Sequence, residues 1–192
     1  EIQNGVPITQ SSDAGYFDSQ VASLSFSSNG RWLVSSNYSG IVYLNDLAKS
    51  DVTTATQEIK LGTFAVSPKG EWLVGQRKDG GIISFGFGSN NPKDLSPVMD
   101  LDDQRIETFR FSDDGQWLAG ATQDGSIHVW NVDETGVVTQ SSRTLIEGDI
   151  ARYQLEFSPD NKWLAADDFS GNIRIWNISP AADAWQQYEL EH

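Results

Sequence analysis

The side chains with the most capacity for chemistry are few and scattered. Histidine occurs only at 128 and 192, and cysteine is absent. One internal imidazole without a thiolate cannot assemble the usual His- or Cys-rich zinc site. Nor does it sit in a recurring Ser/His/Asp arrangement. His128 stands in Ser126-Ile127-His128-Val129-Trp130, where alternation puts Ile127 and Val129 on one strand face and His128 and Trp130 on the other. An ordinary surface histidine is expected there. Carboxylates cluster at Asp100-Leu101-Asp102-Asp103 and at Asp167-Asp168. Calcium needs converging oxygens at fixed spacings, and neither cluster has the EF-hand pattern. Solvated loops are expected instead, with no metal and no cofactor. A carboxylate pair for glycoside hydrolysis is defined by distance through space, which sequence spacing leaves open. Asp79-Gly80-Gly81 and Gly86-Phe87-Gly88 have the glycines of a phosphate cradle but neither its Lys-Ser/Thr ending nor a following helical pattern. They read as tight turns.

The elements that would position these residues recur four times. FSSNGRWLVSSNYSGIVYLND (26–46) is followed by VSPKGEWLVGQRKDGGIISFG (66–86), FSDDGQWLAGATQDGSIHVWN (111–131) and FSPDNKWLAADDFSGNIRIWN (157–177). The turn position falls at Gly30, Gly70, Gly115 and Asn161, giving spacings of 40, 45 and 46 residues. Gly, or next best Asn, tolerates the left-handed backbone that closes a hairpin, and early Asp residues cap the turn. In the third copy Ile106, Phe109 and Phe111 mark a first strand of mixed alternation. Trp117 to Ala121 form a second strand of small residues suited to a crowded interior, and Ser126 to Trp130 form a third. A less regular outer strand is expected at about 54–61, 96–101, 137–146 and 184–189, because rim strands tolerate polar residues. Trp32, Trp72, Trp117 and Trp163, at the start of each second strand, should supply much of the packing area.

A period of 40–46 with a terminal Trp-Asn or Asn-Asp pair resembles the WD-repeat family of β-propellers over residues 21–189. The resemblance implies an all-β chain of four antiparallel four-stranded blades. It also implies a hydrogen-bonded set of Asp, His, Ser/Thr and Trp within each blade, of which Asp124, Thr122 and Trp130 match three places. The family's Gly-His pair is missing, with Glu147-Gly148 near that place before the fourth copy. Ser39 and Ser170 replace the Asp, and Asn45 and Phe85 replace the Trp. Stability should therefore rest on apolar packing between blades.

The expected organisation is an N-terminal segment over 1–20 and repeats over 21–62, 63–103, 104–148 and 149–189, with a purification-tag remnant at 190–192. Ile2, Val6 and Ile8 could add an outer strand to a preceding blade absent here. Family propellers usually close with seven or eight blades. Four blades imply a partial propeller, or half of a ring completed by a second chain, with apolar end faces prone to self-association. The 192 residues carry 27 Asp+Glu against 13 Lys+Arg, a net charge of −14. Such a surface repels nucleic-acid phosphates. No apolar run is long enough to cross a bilayer as a helix, and no signal-peptide pattern opens the chain. The lack of cysteine fits a reducing, cytoplasmic setting.

In the resembling family the turn between second and third strands lies on a face where partners dock. The residue just before its Asp/Ser-Gly step, or Asp-Gly-Gly in the second copy, is Tyr38, Lys78, Gln123 or Phe169. Two of these are aromatic, and exposed aromatics on polar turns suggest contact sites. The resemblance implies a non-catalytic protein-interaction or ligand-sensing scaffold in a larger multidomain protein, similar to arrays attached to signalling ATPases or kinases. The alternatives are a propeller enzyme with an axial pocket, against which the single usable histidine argues, and a purely structural array.

Overall fold

Apolar alternation bounded by Gly and Asn turns builds strands throughout, and the computed structural model contains no helix among its described residues. Those residues are 2–3, 6–7, 20–27, 29–49, 57–70, 72–87, 93–94, 105–133, 143–146, 154–167, 171–179 and 187–190. The chain divides into two units, Glu1–Lys60 and Leu61–His192.

In the first unit, β1 (Ile2–Gln3) and β2 (Val6–Pro7) pair with each other as a two-stranded sheet. They are separated by Asn4-Gly5 in the sequence, the dipeptide that favours the tightest hairpin loops. Ile8 lies outside the described residues. The first blade is a meander of β3 (Val21–Phe26), β4 (Trp32–Asn37), β5 (Ile41–Asp46) and β6 (Gln57–Lys60).

The second unit holds three blades of the same order. The second is β7 (Thr63–Val66), β8 (Trp72–Gln76), β9 (Ile82–Gly86) and β10 (Lys93–Asp94). The third is β11 (Ile106–Phe111), β12 (Trp117–Thr122), β13 (Ile127–Asn131) and β14 (Arg143–Ile146). The fourth is β15 (Leu155–Phe157), β16 (Trp163–Asp167), β17 (Ile173–Asn177) and β18 (Gln187–Leu190). All pairings are antiparallel. The outer strand expected at 96–101 lies outside the described residues, and the strand that pairs with β9 is the earlier, two-residue β10. The mixed alternation of β11 has a local cause. Its register shifts between Ile106 and Thr108, so Ile106 and Phe109 are both buried despite their odd spacing.

One turn closes every first hairpin, and a serine organises it. The hydroxyls of Ser27, Ser67, Ser112 and Ser158 accept from the backbone N–H of Trp32, Trp72, Trp117 and Trp163 at 2.9–3.3 Å. Asn29, Asp114 and Asp160 accept in turn from the serine hydroxyl. Asn161, at φ +56°, is the only described non-glycine residue in the left-handed region, as its place opposite Gly30, Gly70 and Gly115 requires.

The core of the second unit lies between its blades. Trp72, Val74 and Ile82 of the second blade meet Ile106, Phe109, Phe111, Leu118 and Trp130 of the third. Ala119, Ala121, Ile127 and Val129, on the other face of the third, meet Leu155, Phe157, Leu164, Ala166 and Trp176 of the fourth. The third blade thus has a leading face toward the second and a trailing face toward the fourth, and the equivalent faces of the other blades are named likewise. Close approach explains the small second-strand residues: a Cβ on Gly120 would lie 2.9 Å from Trp130 Cζ3. The four second-strand tryptophans are not equal. Trp32 and Trp72 are buried, whereas Trp117 and Trp163 are half-buried, Trp117 at the border of the cluster between the third and fourth blades. An alanine at 117 therefore removes less buried area than the repeat pattern implies.

Candidate functional site

The turn between second and third strands is also built one way. In the first unit, Gly40 N–H donates to Asn37 O at 2.9 Å, spanning Asn37-Tyr38-Ser39-Gly40. In the second unit Gly80 N–H donates to Arg77 O at 3.0 Å and Gly125 N–H to Thr122 O at 2.9 Å. The closing glycines sit at φ +81°, +93° and +89°, and Gly171 of the fourth copy at +88°. Tyr38, Lys78 and Gln123 each hold the second position of this turn, and all three are exposed. Tyr38 is 74% exposed in the first unit. Lys78 and Gln123 stand in adjacent blades of the second. Phe169 lies outside the described residues.

Behind the third-blade turn sits the polar set that the repeat suggested, reorganised around its aspartate. Thr122 Oγ1 donates to Asp124 Oδ1 at 2.6 Å, and Ser126 N–H donates to the same oxygen at 3.0 Å. These bonds, Thr122's first, hold the Asp124 carboxyl below its ordinary range. Trp130 Nε1 and Trp176 Nε1 are buried without a hydrogen-bond partner. The tryptophans therefore contribute area rather than polar ties.

His128 is less of a surface residue than its alternation indicates. It is half-buried, its Nδ1 lies 3.2 Å from Thr144 Oγ1 on β14, and its ring stacks on Trp130 with centroids 5.8 Å apart. Burial pushes its pKa below the ordinary 6.5, and the nearby Asp124 charge only partly offsets this. In the unfolded chain the imidazole takes its proton near 6.5. The unfolded state thus binds more protons as pH falls through that value, and folded stability drops until the folded imidazole also protonates. Urea midpoints of the native sequence and of His128→Gln, compared between about pH 7.5 and about pH 5.5, should shift in favour of the variant at the lower pH. A gap independent of pH would show that the ring is solvated.

A cleft of about 280 Å³ opens between the second and third blades beside the first-hairpin turns, lined by Ser67, Pro68, Trp72, Asp114, Gln116 and Asp133. Asp114 there is a turn-builder, its Oδ1 accepting from Ser112 Oγ at 2.6 Å and Gln116 N–H at 3.0 Å. Among the described residues no three His, Cys, Asp or Glu side chains group as a metal site. The cluster at 100–103 and Asp168 lie outside those residues. Sequence reasoning expected apolar end faces but named no residue of them; the structure exposes Val21, Leu24 and Phe26 on β3 in the first unit, and Tyr188 and Leu190 on β18 in the second.

Four-stranded antiparallel meanders that pack face to face are the blades of a β-propeller. The family model described as WD domain, G-beta repeat matches residues 10–46, 96–131 and 143–177, more than half of the chain. The chain belongs to this WD-repeat family. Most of the second copy, in which Phe85 replaces the usual Trp, falls outside the matched segments. No curated protein matches in sequence. Among solved structures, the β-propeller domain of Cps50 (Swd1) from Myceliophteria thermophila aligns with a TM-score of 0.65 at 17% identity, over 90% of this chain and 59% of that one. Hsv2 of Kluyveromyces lactis aligns at 0.67 and 18% identity, over 86% and 51%. A putative 6-phosphogluconolactonase from Bacteroides uniformis aligns at 0.64 and 14% identity, over 88% and 54%. At these identities the likeness is one of fold. The chain spans between half and three-fifths of the length of these structures.

Proposed function

We propose that the chain is a non-catalytic interaction module that holds a protein or peptide partner on Tyr38, Lys78, Gln123 and Phe169. The observation that carries the reading is Tyr38, an aromatic ring 74% exposed on a hydrogen-bonded turn. Aromatic side chains of this kind supply large contact area at low entropic cost. WD-repeat propellers commonly bind proteins, and the net charge of −14 disfavours a nucleic-acid partner. His128, the usual candidate for acid–base work, is engaged with Thr144 and Trp130. The absence of cysteine suits a cytoplasmic setting. In a pull-down from native extract, Tyr38→Ala and Phe169→Ala should each reduce the recovered partner about fivefold or more, while Arg174→Ala on β17 leaves it unchanged. Equal recovery with all three variants would overturn this assignment of the binding face.

A further inference from the structure

The cleft between the second and third blades lies inside the second unit, at the end of the strands opposite Lys78 and Gln123. Its openness has a cause in the turns. Between the third and fourth blades the neighbouring first-hairpin turns are tied together, Asp113 N–H donating to Asn161 Oδ1 at 2.9 Å. One blade earlier, Pro68 holds the place of Asp113 and has no N–H, and Gly115 holds the place of Asn161 and has no side chain. A Cβ on Gly115 would already lie 3.4 Å from Pro68 Cδ. The gap that an asparagine bridges between one pair of blades is thus left as a cavity of about 280 Å³ between the other. Small-molecule sites occupy about 300–1,000 Å³, so this cavity suits one long side chain rather than a whole cofactor.

The polar groups on its walls are released from the roles that their counterparts fill. In the first blade, Arg31 Nε and Nη2 donate to Asp46 Oδ1 and Oδ2 at 3.1 and 2.9 Å, and the guanidinium stands 5.4 Å from the Trp32 ring centroid. The third blade has Gln116 and Asn131 at the positions of that pair, and both line the cleft. Among the described residues neither amide side chain has a hydrogen-bond partner, whereas Asp46 and Asn177 accept from the backbone N–H two residues on. Asp114 takes both of its turn bonds on Oδ1, which fixes the carboxylate and leaves Oδ2 to accept from elsewhere. Asp133 adds a second carboxylate to the lining, and Pro68, Trp72 and Val132 supply apolar surface. The third-blade wall thus keeps acceptors for a cation but lacks the arginine that the first blade places there. Lys69, the one cation among the lining residues, belongs to the second blade. It replaces the acceptor found at Asn29, Asp114 and Asp160, and makes no ion pair among the described residues.

We infer that this cleft takes the side chain of an arginine from a peptide or protein partner. The aliphatic stem packs on Pro68 and Trp72. The guanidinium, a planar fork of five donors, is offered Asp114 Oδ2, the Asp133 carboxylate and Asn131 Oδ1. A lysine ammonium is a compact point charge and matches such a set of oxygens less well. The net charge of −14 draws a basic partner toward the chain. The site lies at the opposite end of the blades from the turn surface proposed above and does not depend on it.

Titration of the full chain with acetyl-Gly-Arg-Gly-amide, followed by the backbone amide signals of Gly115, Gln116 and Val132 in proton–nitrogen spectra, tests it. Salt at about 0.1 M limits attraction from distant parts of the acidic surface to ~10 Å. The signals should move with a midpoint of about 1 mM, as one anchored side chain provides. The counterpart acetyl-Gly-Glu-Gly-amide should leave them in place. Three substitutions borrow a residue that another copy uses at the same turn position, so the turn itself is kept. Gly115→Asn, as at Asn161, fills the cleft and should weaken binding about tenfold or more. Asp114→Asn, as at Asn29, keeps the turn bonds, removes the charge and should weaken it about threefold. Lys69→Asp, as at Asp160, removes a repelling charge and should strengthen it about threefold. Signals that stay in place at about ten times the expected midpoint would overturn the inference. So would equal affinity in the native chain and Gly115→Asn, the result of arginine spread over the acidic surface. Preference for the glutamate peptide, lost in Lys69→Asp, would make Lys69 the anchor of an anionic ligand and overturn it equally.

Discussion

Replacing Trp130 by alanine is expected to cost the second unit about 3–5 kcal/mol, the range for truncating a fully buried aromatic side chain. Trp130 is 0% exposed and sits in the cluster between the second and third blades. Its ring touches Phe109 at 6.4 Å and His128 at 5.8 Å. Gly120 gives it room that any larger residue would remove. Because its Nε1 has no partner, the loss comes from buried area and dispersion rather than from a hydrogen bond. Trp130→Phe should therefore keep much of the stability, as the second copy's own use of buried Phe85 at this position illustrates. Urea denaturation of both variants against the native sequence measures the difference. A loss under about 1 kcal/mol for the alanine variant would show that this interface contributes little, since truncations of buried aromatics cost several times that.

The features legible in the sequence are those that each copy must solve locally. A Ser three residues before a Gly or Asn, then Trp-Leu, specifies a hairpin whose bonds close within six residues, and the structure repeats them four times. The alternation of Ile127 and Val129 against Trp130 fixed both blade faces, because period 2 leaves no other arrangement. Burial at a given repeat position was not legible, because it depends on what lies against the blade. Phe26 and Phe111 share a motif but not an environment. The bulge in β11 and the short β10 were hidden for a related reason: both arise from pairing between strands, and the outer strands carry no repeated pattern. His128 read as exposed because its counterparts Tyr43, Ile83 and Arg174 have no common character. Its burial comes from Thr144 and Trp130, and only Trp130 stands in its own strand. At the candidate site the turn was legible through its glycine. The residues it presents vary from copy to copy, as surface positions free of packing demands do, so their type alone names no partner.

The same comparison yields the sharpest test of blade packing. Phe111→Ala should lower the stability of the second unit by about 3–5 kcal/mol, because Phe111 is 8% exposed and meets Trp72 of the preceding blade edge-on at 5.0 Å. Phe26→Ala removes the same atoms at the same repeat position, but from a ring 65% exposed. Its cost should stay within about 0.5 kcal/mol, as for other surface substitutions. A double-mutant cycle over Trp72 and Phe111 should return a coupling of about 0.5–1.5 kcal/mol beyond area, as edge-to-face aromatic pairs do. Equal losses at 26 and 111 in dilute solution would mean that the first blade's leading face is already covered within a single chain. The contrast between the two positions would then be gone.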